Sequence, residues 1–315
     1  MYKGKWCRTT ERIFQDGTFN KMNRRKLTFE CDKLNSFFED GIPNYSLVEL
    51  MGSPGSGKTQ FALTLLAEQL LKTYEEKREN IIFYIYINRT FPMARLTEIV
   101  ESKLTKMAKK GRDPNHFPQN SSTHLNGYHE REGCEFYERK SQVDEFTSKV
   151  HSTHMEGDNT LRNILKNLYI QKVNGYIELF TLLQRDFFYI AKYYKISLLV
   201  VDSFNCIIND SANFNSWKKQ NALKEMSIIL KQISYQYDMF IFVINTLPIK
   251  KNHAENLFNS FDCFTNSFCS NTIIAFTKTK EYNNTHRKII VKSSDFLSEY
   301  KSLNFEITHE GFTAL

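Results

Sequence analysis

The stretch Ser46-Leu-Val-Glu-Leu-Met-Gly-Ser-Pro-Gly-Ser-Gly-Lys-Thr-Gln60 decides how the rest of the chain is read. Residues 46–51 form an apolar run with strand character. They feed Gly52-x-x-x-x-Gly57-Lys58-Thr59, after which residues 61–71 read as an apolar helix. Strand, glycine loop and helix in that order point to a phosphate-binding loop rather than an ordinary turn before a core helix. Glycines at 52, 55 and 57 let successive backbone N–H groups turn inward around a phosphate, and the helix N-terminus adds its partial positive charge there. The expected nucleotide-binding set is Gly52, Ser53, Pro54, Gly55, Ser56, Gly57, Lys58, Thr59 and Gln60. Lys58 is placed to reach the β/γ-phosphates, and the Thr59 hydroxyl to hold Mg²⁺. ATP with Mg²⁺ is the cofactor this pattern implies.

The totals allow one large domain, or one with an appendage: 315 residues, 41% of them apolar, with a net charge of +7. A mild positive balance fits a nucleic-acid partner without demonstrating one. The six cysteines show no CxxC pairing or regular framework, and beside a phosphate-binding loop they read as reduced thiols in an intracellular compartment. No apolar run reaches the ~18 residues of a membrane span, and the N-terminus lacks the apolar segment of a signal peptide.

Along the chain, residues 1–26 are polar and basic, ending in Lys21-Met-Asn-Arg-Arg-Lys26. They read as a solvated tail, with a nuclear-import or phosphate-contacting patch as the alternative. Residues 27–38 suggest a short strand or helix. Residues 81–87, a continuous β-branched and aromatic run, have the signature of a strand buried on both faces. A helix is expected from residue 93 to about 107. Residues 109–160 turn polar and read as an insert, partly disordered. His151 and His154 within it lack Cys or carboxylate partners at useful spacing, which argues against a metal site. An amphipathic segment over 161–168, a strand over 169–173 and a long helix over 176–194 with a core aromatic stripe come next. Residues 196–202 form another buried strand and deliver Asp202 at its C-terminal end. This is the Walker B pattern, in which the carboxylate holds Mg²⁺ through water beside the phosphate loop. A helix over 222–237 and strands near 239–245, 273–278, 287–292 and 303–307 complete the series. Repeated strand–helix units predict a mostly parallel, twisted α/β sheet with helices on both faces. The last strands, lacking helices between them, are expected to be antiparallel at one edge.

At this point the residues resemble a family. Leu34-x(6)-Gly41-Ile-Pro43, Glu49-Leu-Met-Gly-x-Pro-Gly-x-Gly-Lys-Thr-Gln60, Leu161-Arg-Asn-Ile-Leu, Tyr176-Ile-Glu-Leu-Phe180, Leu199-Val-Val-Asp-Ser203, Lys292-Ser-Ser294 and Phe305-Glu-Ile-x-x-x-Gly-Phe312 are similar, in order, to the core of the RecA-type recombinases. Within them the pattern resembles the eukaryotic recombinase paralogues, and most of all the C-type. The resemblance covers residues 27–312 apart from the insert. It implies a RecA-type ATPase core, ATP and Mg²⁺ as cofactors, recombinase or paralogue subunits and single-stranded or branched DNA as partners, a nuclear location, and a role in homologous-recombination DNA repair.

The departures from the family pattern matter as much. The small helical DNA-binding domain that precedes the core in these proteins has no counterpart in residues 1–26. Aligning Phe91 and Arg95 with the family's Phe and Arg puts Asn88 where a glutamate activates the attacking water. An amide cannot accept that proton, although it can position a water. The strand after Walker B usually ends in Asn-Gln, with the Gln sensing the γ-phosphate; here it ends in Asn245-Thr246. Together they imply nucleotide binding with slow or lost hydrolysis. Glu98 is a substitute base on paper and a solvated surface acid on the simpler reading. Two loops carry DNA in the family, here about residues 205–219 and 247–271. Phe214 and Trp217 are candidates to stack on bases, and Lys218, Lys219, Lys250 and Lys251 to meet phosphates. Two alternatives stay open: an active DNA-dependent ATPase that exchanges strands itself, and another P-loop NTPase, such as a small-molecule kinase, that does not act on DNA.

Overall fold

The computed structural model describes residues 25–87, 90–109, 157–204, 215–246, 268–281 and 284–315. The chain opens with β1 (Lys26–Leu27), α1 (Asp32–Phe37), β2 (Ile42–Pro43), β3 (Leu47–Gly52), α2 (Lys58–Glu75), β4 (Asn80–Ile87) and α3 (Met93–Lys109). It continues with α4 (Gly157–Leu165), β5 (Leu168–Val173), α5 (Tyr176–Thr181), a π-helical segment (Leu182–Asp186), α6 (Phe187–Tyr193) and β6 (Lys195–Asp202). Helix α7 (Ser216–Tyr237), β7 (Phe240–Thr246), β8 (Thr272–Glu281), β9 (Asn284–Ser294), β10 (Ser302–Thr308) and β11 (Gly311–Ala314) close it.

Nine of these strands form one sheet in the order β11-β10-β9-β8-β3-β7-β6-β4-β5. Pairs from β5 across to β8 are parallel, and β8–β9, β9–β10 and β10–β11 are antiparallel. This is the mostly parallel α/β sheet with an antiparallel C-terminal edge that the alternation of strands and helices implies. The continuous apolar runs are explained by burial on both faces. Along β4, Ile82 and Tyr84 face one core while Phe83, Ile85 and Ile87 face the other. Along β7, Phe240, Phe242 and Ile244 face the first core, with Ile241 and Val243 facing the second. The first core is covered by α2, α3 and α4, the second by α5, α6 and α7.

Three elements differ from expectation. The helix anticipated over 176–194 is interrupted by the π segment, which adds a residue to the turn and rotates α6 relative to α5. Its aromatic stripe is therefore split: Phe187 is fully buried, whereas Tyr189 and Tyr193 are 67% and 72% exposed. Helix α7 begins at Ser216 rather than near 222, because the Asn215 side chain accepts a 2.9 Å hydrogen bond from the Lys218 N–H and caps it. Helix α4 takes residues 157–160, assigned on sequence to the polar insert, into a regular turn. Residues 110–156, with His151 and His154, lie outside the described residues, as do residues 1–24 of the basic tail. Lys26 itself already pairs with Pro43 in the small β1–β2 sheet. Among the described residues no helix is long and apolar enough to cross a membrane.

Candidate nucleotide site

The site is assembled where β3, β7, β6 and β4 end, on the carboxyl edge of the parallel part of the sheet, the place where open α/β sheets bind ligands. Between the loop strand β3 and the Walker B strand β6 lies β7, so three consecutive strand ends meet there. Gly52 turns the chain out of β3 at φ +158°, so close to β8 that an added Cβ would lie 2.4 Å from the Phe276 carbonyl oxygen. Gly57 ends the loop at φ +115°, with the Phe305 ring 2.9 Å from where a Cβ would stand. A side chain at either position would displace the loop, so the glycines the motif requires are also required by packing.

Helix α2 then starts at Lys58, and among the described residues no side chain caps it. Its first N–H groups have no intrahelical partners and stand beside the loop, the chemistry that suits an anion. The Lys58 ammonium folds back over the loop and donates to the carbonyl oxygens of Gly52 and Ser53, each at 2.8 Å, and reaches the Ser56 Oγ at 3.4 Å. The Thr59 hydroxyl donates to Asp202 Oδ2 at 2.8 Å, bringing the loop helix and the end of β6 together across 143 residues of sequence. Asp202 Oδ2 also accepts from the Tyr84 hydroxyl at 2.8 Å. Tyr84 is fully buried in β4, and burial first, with the adjacent Asp202 carboxylate second, pushes its phenol well above the ordinary range. It stays a neutral donor and fixes which way the carboxylate points.

A hydroxyl and a carboxylate are the hard oxygen donors that suit Mg²⁺. Among the described residues no group of three or more His, Cys, Asp or Glu stands together as a metal cage. The donor set therefore fits a cation shared with phosphate oxygens better than one held by protein alone.

Two further residues escape a reading of the sequence. Glu49, in β3 on the face away from α2, is completely buried, accepting from the Asn245 amide at Oε1 and from the Ser270 hydroxyl at Oε2 (3.0 Å). Burial, only partly offset by those bonds, raises its carboxyl to about 7. Arg95 at the start of α3 donates to Gln60 Oε1 at 2.9 Å and to the Thr308 carbonyl, and it pairs with Glu98 at 2.6 Å. Gln60 is thereby held by α3 from the side. Glu98 is half exposed and engaged with Arg95, the environment of a surface acid. Nothing in the residue pattern separates Tyr84 from its neighbours, and Glu49 reads only as the single acid of an otherwise apolar strand, with no sign of what it meets.

Of the remaining expected positions, Thr246 ends β7 beside Gly52, its register partner. Trp217, in the first turn of α7, is 68% exposed, with Lys218 exposed and Lys219 half-buried beside it. Trp217 therefore opens a helix whose later turns pack into the second core, while its own side chain stands outside that core. Asn88, Phe214, Lys250 and Lys251 lie outside the described residues.

No family model matches the chain. The DNA repair protein RAD51 homolog 3 of Dictyostelium discoideum is 22% identical over 267 residues, covering 82% of this chain and 59% of that protein. The DNA repair protein RAD51 homolog 2 of Mus musculus is 37% identical over 70 residues, 22% of this chain and 20% of that protein. The chain thus spans about three fifths of the length of the Dictyostelium relative. The sheet order, the loop between β3 and α2 and the carboxylate at the end of β6 agree with a RecA-like core, and in sequence the chain is similar to these RAD51 homologues.

Proposed function

We propose that this protein binds ATP and Mg²⁺ at the β3–α2 loop and serves homologous-recombination DNA repair in the nucleus as a recombinase paralogue. In this reading it associates with recombinase or paralogue subunits and with single-stranded or branched DNA, and it hydrolyses ATP weakly or not at all. The observation that carries the nucleotide reading is the 2.8 Å hydrogen bond from Thr59 to Asp202, which sets a hydroxyl and a carboxylate together at the mouth of an uncapped helix. Thr59 and Asp202 are the residues that would hold Mg²⁺, which when bound would supply charge neutralisation for the phosphates. Tyr84 keeps the Asp202 carboxylate oriented. The Lys58 ammonium, which donates to the loop carbonyls, would meet phosphate oxygens in their place. Asn88 has no basic atom with which to take a proton from water, which is the reason for expecting slow turnover.

The test is ATP binding and ATP hydrolysis on the same purified protein, with and without single-stranded DNA. Tight, Mg²⁺-dependent binding that Lys58→Ala abolishes, with negligible turnover in either condition, supports a subunit whose nucleotide is structural. Asn88→Glu should then raise turnover. Robust DNA-stimulated hydrolysis by the unaltered chain overturns the weak-hydrolysis reading in favour of an active recombinase. Turnover indifferent to DNA points instead to a P-loop NTPase acting elsewhere.

A further inference from the structure

The crown of the phosphate loop faces a row of side chains that neither the loop motif nor the Walker B strand contains. Phe276 in β8 is the register partner of Gly52, and its ring packs on Phe61 of α2. Side chains alternate along a strand, so Lys278, two residues on, stands on that same face just beyond the end of β3. A Cβ added at Gly55 would lie 3.8 Å from the Lys278 Nζ, the one atom of the described residues within 4 Å. Directly opposite Lys278 in the antiparallel pairing is Arg287 of β9, and opposite Arg287 is Phe305 of β10, whose ring meets Gly57. Lys278, Arg287 and Phe305 thus form one row across three strands, flush with the loop from Gly55 to Gly57.

Two cations directly opposite each other repel. Here neither has a compensating acid: among the described residues Lys278 and Arg287 make no ion pair or hydrogen bond through their side chains, and the Arg287 Nε is buried without a partner. The contrast with other cations nearby is direct, since Arg95 and Lys103 each hold a carboxylate. A like-charged pair kept half-buried beside an anion-binding loop is an arrangement completed by an anion. We propose that Lys278 and Arg287 are a second phosphate-binding wall, which takes oxygens of the polyphosphate of a nucleotide held by the Gly52–Lys58 loop. This rests on the nucleotide reading of that loop. It assigns the β8–β9 edge a part in binding ATP in the same subunit.

The experiment compares ATP and inorganic tripolyphosphate binding, by calorimetry, across the unaltered chain, Lys278→Met, Arg287→Met, the double variant and Lys278→Arg, with melting curves as a check on folding. The double variant should bind both ligands at least tenfold more weakly, and its affinity should fall less steeply with salt. Lys278→Arg should retain most of the affinity that Lys278→Met loses. If the unaltered chain binds ATP, Lys58→Ala loses it, and the folded wall variants stay within twofold of the unaltered affinity, the wall is overturned while the loop stands. If the unaltered chain binds neither ligand, the loop reading fails and the wall with it. A loss for ATP without a loss for tripolyphosphate overturns the phosphate assignment, because the row would then be touching the nucleoside.

Discussion

Glu49 shows how far a single residue's behaviour is set by its surroundings. A carboxyl buried with its two oxygens facing the Asn245 amide and the Ser270 hydroxyl is easier to keep protonated than charged. Its value rises from 4.5 to about 7 on folding. For an acid raised in this way the folded state binds the extra proton, so the contribution to stability is complete below pH 4.5 and is lost as pH climbs through about 7. That interval corresponds to about 3 kcal/mol. Glu49→Gln keeps an acceptor and a donor at the two positions without the titration. Its melting temperature should therefore vary less between pH 4.5 and about 8 than that of the unaltered chain; an identical slope would mean that the proton is not held at Glu49. Since Ser270 lies shortly before β8 and Asn245 near the end of β7, the same residue ties the two flanks of the loop strand together.

Among the elements, α3 is held to α2 by a buried charge cluster as well as by apolar packing. Lys103 donates to Glu68 of α2 at 3.0 Å and to Glu30 at 2.8 Å, with 8% of its side chain exposed. Burial opposes its charge, but the two carboxylates outweigh it and hold the ammonium above its ordinary value. Lys103→Met would leave Glu68 buried without its cation, and urea unfolding should show a loss of about 3–5 kcal/mol. Adding Glu68→Leu should restore most of it, since an apolar pair of similar volume replaces a buried ion pair at little cost. A loss below about 1 kcal/mol in the single variant would mean that Glu68 simply takes up a proton or water. The consequence reaches the site, because α3 also carries Arg95, which grips Gln60 directly after the phosphate loop. The C-terminal hairpin is fastened to α2: Gly311 stands at φ +97° with Thr64 where a Cβ would be, and the Phe312 N–H donates to the Thr64 hydroxyl at 2.8 Å.

For the whole molecule, the sheet order gathers the loop, Asp202 and the end of β7 on one edge, and α7 begins beyond the same edge after β6. Trp217 and Lys218, exposed in its first turn, extend from that region into solvent. If this surface meets single-stranded DNA, reversing both Lys218 and Lys219 to Glu should weaken binding and lower the slope of log affinity against log salt by about 1.4, at roughly 0.7 for each phosphate no longer met. An unchanged slope would remove the start of α7 from the DNA surface.

The amino-acid sequence by itself determined the glycine loop between a strand and a helix, the buried strands, the parallel sheet and its antiparallel edge, because glycine spacing and hydrophobic runs are local properties that survive in one dimension. Asp202 was legible for the same reason, as an acid terminating an apolar strand. Only the tertiary structure decided what those residues meet. Tyr84 and Glu49 read as strand positions, and become a fixed donor and a buried acid raised to about 7 through partners 118 and 196 residues away. Lys278 and Arg287 read as unremarked charges in a late hairpin, and stand beside the loop because β8 pairs with β3 after four intervening strands have been placed elsewhere in the sheet. Electrostatic environment is a property of distances in space, and long-range pairing sets those distances.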